Sequence, residues 1–360
     1  MTYAPAEISR FTPAEPPTRG AQGMTHIQKP YALFVGEANG PGWIKTALGL
    51  HDWVPESCVA EIALPACTVS TGLPRLSVRD AYAKGARSLV IGVAPDGGRI
   101  EPSWIPVLVD ALESGMDVVS GLHTRLGTVA EVQSAGERTG RRLIDVRTPP
   151  SYIPVATGRK RSGKRLLTIG SDCALGKKYA ALSITHAFRA RGVDADFRAT
   201  GQTGIMIAGG GIPMDAVVSD FLAGAAELLS PDAAPDHWDV VEGQGSLFHP
   251  AYAAVTLGLL DGSQPDVLVV CHDTRRRDIL GCPGYFVPSI GELMDLGLRI
   301  ARRVNPRVRC AGVSLNTGGL SAAEAEDIIV RTSQECRLPA ADPIRGGKAF
   351  EALIDSCLNS

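Results

Sequence analysis

The sequence has no charge excess. Lys and Arg number 36 against 38 Asp and Glu, a formal net charge of −2 over 360 residues. A chain whose main partner is nucleic acid or an anionic membrane carries a strong basic bias, so the balance argues against both. There is no apolar run of the roughly 18–20 residues that a membrane-spanning helix needs. The longest apolar stretches are short, as at Val267–Val270, and suit buried strands. The eight cysteines, at 58, 67, 173, 271, 282, 310, 336 and 357, include no CxxC pair, which leaves a zinc ribbon or thioredoxin-like site without support. No basic start followed by an apolar core opens the chain. Reduced thiols and a cytoplasmic location are therefore expected. No Gly loop shows G-x-G-x-x-G spacing, which places a dinucleotide redox enzyme last among the readings. No repeat of solenoid period is found, and no residue set is assigned to a metal.

What is present is an ordinary globular composition, 44% apolar, in a chain too long for one hydrophobic core. Residues 1–29 read as a disordered tail, because FTPAEPPTRGAQG at 11–23 holds too little large apolar surface to offset ordering entropy. Met24 is a second candidate start. Residues 30–150 then alternate strand and helix. Strands are expected at 31–35, 58–64, 86–91, 117–120 and 142–146, with a helix over 106–114. The joint is TPPSYIPVATGRKRSG at 148–163, rich in Pro, Gly and basic residues. A second βα series fills 151–350, with strands at 165–169, 195–199, 239–242, 267–270 and 309–315 and a helix over 177–191. Ser321 and Glu324 form the S-x-x-E pattern that opens a helix. Strands alternating with helices imply an α/β chain of two parallel sheets.

The strongest chemical signal is GSDCALGKK, from Gly170 to Lys178, between an expected strand and an expected helix. Gly170, Ser171, Asp172, Cys173, Ala174, Leu175, Gly176, Lys177 and Lys178 make a strand–loop–helix of the kind that cradles phosphate: backbone N–H groups wrap the oxygens and Lys177 adds a point charge. The spacing is G-x5-G-K, one residue longer than the common loop, and Lys178 stands where a Ser or Thr normally binds Mg²⁺. That weakens a standard Mg–ATP site and leaves phosphate binding intact. A helix that merely begins with Gly-Lys is the alternative.

Three further segments sit at expected strand ends, where open α/β sheets bind ligands. In WDVVEGQGS, Glu242 is placed to hold a metal, act as a base or orient an amine, with Gln244 and Ser246 beside it. TGQTG offers Gln202 and Thr203 as donors, although a tight turn alone would explain it. After Cys271-His272-Asp273, Arg275, Arg276 and Arg277 suit carboxylate or phosphate binding, or form a solvated turn. Cys271 and His272 are neighbours on a strand and point to opposite faces, so they do not make a nucleophile pair. Asn316 is a weak candidate for a purine contact. In the first half, GEANGPG, GVAPDGGR and SGLH, with His123, end strands and together suit a small-molecule crevice, or are only turns.

GSDCALGKK, TGQTG, VEGQGSL, CHD, GVAPDGG, VVSGLH and DVRTPP resemble, in order, the segments of a bacterial family long filed as a domain of unknown function. The match spans residues 30–350, roughly. Its members pair a Rossmann-like N-terminal domain with a P-loop domain similar to dethiobiotin synthetase, which shares the lengthened loop. One branch is the DgcN-type D-glutamate N-acetyltransferase family, which moves acetyl from acetyl-CoA to D-glutamate. The resemblance implies that activity, with acetyl-CoA as co-substrate and the loop holding coenzyme A phosphates without ATP hydrolysis. N-acetylation needs a deprotonated amine, for which Glu242 is the first candidate base and Asp172 the second. Arg275, Gln202, Thr203, Gln244, Ser246 and His123 are the candidate acceptor contacts. Small-molecule partners and a homo-oligomer are expected. The alternative is an ATP-dependent carboxylate-activating ligase or kinase of the dethiobiotin synthetase type, which would need Mg²⁺.

Overall fold

The computed structural model describes residues 26–359. The first half runs β1 (Tyr31–Gly36), α1 (Lys45–Trp53), β2 (Cys58–Ala63), α2 (Val78–Ala83), β3 (Ser88–Ile91), α3 (Ile105–Glu113), β4 (Asp117–Ser120), α4 (Ala130–Thr139) and β5 (Leu143–Asp145). The second runs β6 (Lys164–Gly170), α5 (Lys177–Ala190), β7 (Ala195–Arg198), α6 (Gln202–Ala208), α7 (Leu222–Leu229), β8 (Trp238–Val241), α8 (Ala253–Ser263), β9 (Val267–Asp273), α9 (Ile290–Ala301), β10 (Arg309–Asn316), α10 (Ala322–Cys336), β11 (Ala340–Ala341) and α11 (Gly347–Leu358). Two parallel sheets result, ordered β2-β1-β3-β4-β5 and β11-β10-β9-β6-β8-β7. The short all-apolar runs are the reason: strands covered by helices on both faces bury every residue, as β1 and β3 do. The expected strands lie within two residues of those observed, except that β9 runs three residues further, to Asp273, and Ser321 closes a capping box with Glu324 at the start of α10.

In each sheet the strand order reverses beside the strand that begins the series, and that reversal opens the crevice in which α/β sheets hold ligands. In the second sheet β6 lies between β9 and β8. The loop after β6 therefore emerges flanked by the carboxyl ends of both neighbours.

The two halves are packed together. The Tyr31 hydroxyl donates to the Met206 carbonyl oxygen of α6 at 3.1 Å, and a Cβ at Gly121 would lie 3.2 Å from Gln202 Cβ. The expected tail lies outside the described residues as far as position 25. Residues 26–29, by contrast, are anchored: Ile27 is buried and its N–H donates to Gly209 O at 3.1 Å. The joint carries no helix or strand between 149 and 163, and its basic residues divide, Arg159 being exposed and Lys160 half-buried. Arg161 is buried and donates to the carbonyls of Ser230 and Gly262, both at 2.7 Å. Arg165, fully buried, donates to the carbonyls of Ser162 and Pro231. Desolvation draws the Arg161 guanidinium down to about 10. The last helix runs to Leu358, past the expected end at 350.

Candidate active site

Gly170 to Lys178 forms the loop between β6 and α5. Two residues take left-handed backbone, Ala174 at φ 53° and Gly176 at φ 117°, and Gly176 is the N-cap of α5. A Cβ on Gly170 would lie 2.9 Å from Lys177 Nζ and 3.0 Å from the Asp172 carbonyl oxygen, so glycine lets the loop close on itself. Ser171 N–H donates to Cys271 O and Cys173 N–H to Asp172 Oδ1. The N–H groups of Ala174, Leu175 and Gly176 have no acceptor among the described residues. Leu175 packs with Ala180 and Cys271 beneath the loop. Lys177 is buried and donates to Asp172 O at 2.7 Å. Burial lowers its pKa, and the surrounding Cys173, Cys271, Asp172 and Glu242 partly restore it. Unpaired N–H groups, a helix start and an enclosed ammonium are the parts of an anion cradle.

Glu242 stands just past the end of β8, 3% exposed. Gly243 allows this close packing, because a Cβ there would meet Thr168 O at 1.7 Å. Glu242 Oε2 accepts from the N–H groups of Thr200 at 2.9 Å and Gly201 at 3.1 Å. Oε1 has no hydrogen-bond donor among the described residues. Desolvation raises the Glu242 pKa above the ordinary carboxylate range; the two N–H bonds and the Lys178 and Lys177 ammonium groups oppose this without cancelling it. Gln244 Nε2 donates to Thr200 Oγ1 at 3.1 Å, closing the ring around the carboxylate. The Thr200–Gly204 segment is the entry to α6, not only a turn. Lys178 Nζ lies over the Tyr179 ring, 4.9 Å from its centroid. A Cβ on Gly49 of α1 would lie 3.7 Å from that ammonium and 3.3 Å from Thr203 Cγ2. The first domain therefore closes over Lys178 and Thr203.

The loop, Glu242, Gln244 and Lys178 are thus brought together with α6. The remaining expected contacts are arranged otherwise. Asp172 is committed: Oδ2 accepts from Arg276 Nη1 and from Leu280 N–H, each at 2.8 Å. Arg276, and not Arg275, is the arginine that reaches the loop. Arg275 is exposed and pairs with Asp273, whose other oxygen accepts from Asn316 Nδ2. Arg277 lies over the Phe286 ring. Gln202 Nε2 donates to Asp215 Oδ2, shared with Arg147 Nη1. Ser246 is buried in a turn, its Oγ accepting from Phe248 N–H. His123 is exposed, with its backbone N–H on Gly98 O. Ser171 Oγ lies 2.9 Å from His272 Nδ1, a pairing across two strand ends that no spacing in the sequence announces.

Asp172, Cys173 and His249 place one ligand atom each within 4.8 Å of one another. Two of the three donors are already engaged. His249 Nδ1 accepts from Ala251 N–H at 3.1 Å, which leaves Nε2 to donate to Leu280 O at 3.1 Å. Asp172 is held by Arg276, so an ion bound by this trio would have to displace the partners of both Asp172 and His249. At the loop, position 178, where phosphate loops usually offer Mg²⁺ a hydroxyl, carries an ammonium.

Fold and loop together define a two-domain α/β protein whose second domain carries a phosphate-type loop under the first. Two family models match. The P-loop domain of DUF1611, a domain of unknown function, covers residues 154–353, and its Rossmann-like N-terminal domain covers 64–149. The chain belongs to the DUF1611 family. It is 47% identical over 321 residues to a protein of Tritonibacter scottomollicae named D-glutamate N-acetyltransferase, covering 89% of this chain and 96% of that one. A Pseudoalteromonas protein of the same name is 46% identical over 321 residues, covering 89% and 97%. A DUF1611 family crystal structure from Anabaena variabilis superposes with a TM-score of 0.78 at 33% identity, covering 91% of this chain and 98% of that one.

Proposed function

We propose that this protein is a D-glutamate N-acetyltransferase, moving the acetyl group of acetyl-CoA to the amino nitrogen of D-glutamate. The observation that carries the reading is the identity, near one half and spread over both domains, to two proteins bearing that name. The site is consistent with it. The N–H groups of Ala174 to Gly176, with Lys177, suit the phosphates of coenzyme A. Glu242 is the proton acceptor for the amine: it is enclosed, its basicity is raised by desolvation, and Oε1 is unengaged among the described residues. Asp172 braces the loop through Arg276 and is a positioning residue, not a second base. Thr203, in the first turn of α6, and Gln244, bonded to Thr200 beside Glu242, are the acceptor contacts retained from the expected set. No helix among the described residues is long and apolar enough to cross a membrane; a cytoplasmic homo-oligomer is part of the proposed reading.

The test is thiol release from acetyl-CoA with D- and L-amino acids, in the absence of ATP and with the product identified by mass. Release with D-glutamate is expected. ADP formation with no thiol signal would replace the reading with an ATP-dependent ligase.

A further inference from the structure

Phosphate loops of the common kind place a Ser or Thr hydroxyl directly after the lysine, and that hydroxyl helps hold Mg²⁺ against the phosphates. Here the loop keeps the geometry and changes the chemistry. Gly176 caps α5, Lys177 is its first residue, and Lys178 leaves the helix from the position of the hydroxyl. Its ammonium is half-buried, set over the Tyr179 ring and under Gly49 of α1. It faces Glu242 at the end of β8 and Asp52 at the end of α1, and both carboxylates favour its charged form against the desolvation that opposes it. It donates no hydrogen bond among the described residues. The nearest carboxylate on the loop, Asp172, is taken by Arg276 and Leu280 N–H. A divalent ion at this spot would meet a fixed positive charge and lack the hydroxyl, and the carboxylate with an unengaged oxygen, Glu242, already faces the ammonium.

We propose that the Lys178 ammonium is the resident cation of this site, occupying the place where related loops hold a divalent metal, so that the loop binds phosphates without one. The charge is thereby part of the fold and not borrowed from solution. Lys177 and Lys178 then act as two fixed positive groups, one within the loop and one on its domain-facing side. This rests on the reading of Gly170–Lys178 as a phosphate loop.

The experiment is calorimetric titration of coenzyme A into the full chain, first in EDTA and then in millimolar Mg²⁺. Wild-type affinity is expected to be the same in both. Lys178→Thr, which restores the hydroxyl, should bind at least about tenfold more weakly in EDTA, one lost charge-assisted contact, and regain affinity when Mg²⁺ is added. Lys178→Met should be as weak and gain nothing from Mg²⁺. Wild-type binding that requires Mg²⁺, or variants that bind like wild type, would overturn the inference while leaving the loop reading intact. No binding of coenzyme A in any arm would overturn the loop reading and this inference with it. If thermal melts show that neither variant folds, the wild-type comparison in EDTA and Mg²⁺ decides alone.

Discussion

At the scale of single residues, the site turns on a carboxylate kept out of water. Glu242 is held by two backbone N–H groups on one oxygen, and desolvation raises its proton affinity. Its base form is lost as pH falls through that raised pKa, so turnover should decline on the acid side at a pH above the ordinary carboxylate value. Glu242→Gln should lower kcat by about 10²–10⁴-fold, the usual worth of a positioned base, and abolish the acid limb of the pH–rate profile. The stability sign is the reverse of a salt-bridged acid. A carboxyl whose folded pKa is raised favours the fold below its unfolded pKa, and that contribution disappears as pH rises through the folded value. Denaturant melts should therefore show Glu242→Gln gaining stability relative to wild type as pH increases. An unchanged kcat would remove Glu242 from the chemistry. The residue was legible in the sequence because a carboxylate closes a largely apolar strand just before Gly243 and Gly245. Arg276 was not: three consecutive arginines look alike until the turn after β9 sends one to Asp172 and its neighbours elsewhere.

At the scale of elements, the strands were readable because burial on both faces leaves them almost wholly apolar, while α6 was not, being short and hidden behind a turn-like TGQTG. Yet α6 sets the position of Glu242. A Cβ on Gly204 would come 2.3 Å from Glu242 Oε2. In most helices Gly→Ala adds stability, about 0.5–1 kcal/mol, but here it drives the carboxylate off Thr200 and Gly201. Gly204→Ala is expected to cut kcat sharply in the thiol-release assay with little loss of fold by circular dichroism. The edge pair β7–β8 offers an independent test. His237 lies 2.8 Å from Asp194 and 3.2 Å from Asp239, and these partners raise its pKa to about 9. A raised histidine stabilises the fold fully below its unfolded pKa, near 6.5, and the benefit fades as pH climbs through about 9. After discount for solvent, His237→Gln should cost about 1–2 kcal/mol at pH 6. The difference from wild type should shrink toward pH 10, and a pH-independent difference would rule the charge out.

At the scale of the whole molecule, what the sequence could not reveal is that the first domain reaches the loop of the second. Neither Gly49 nor Tyr31 belongs to any motif; each matters only through the surface opposite. Asp215 accepts from Arg147 Nη1 at 2.7 Å and from Gln202 Nε2 at 2.9 Å, and so ties the end of the first domain to the start of α6. The site is partly exposed, so Asp215→Ala should cost only about 0.5–1 kcal/mol. Its clearer readout is faster amide exchange over 202–208 together with a higher KM; exchange unchanged from wild type would mean that the tie is ornamental.

The buried guanidinium groups of Arg161 and Arg165 bear on how such an enzyme can open. Together they moor the end of the crossover to carbonyls beneath the second sheet, so the covalent joint offers no swivel next to that sheet. The N–H groups of Thr157 and Gly158 are likewise held by Glu227, so the freedom left to the joint lies ahead of Thr157, on the side of the first domain.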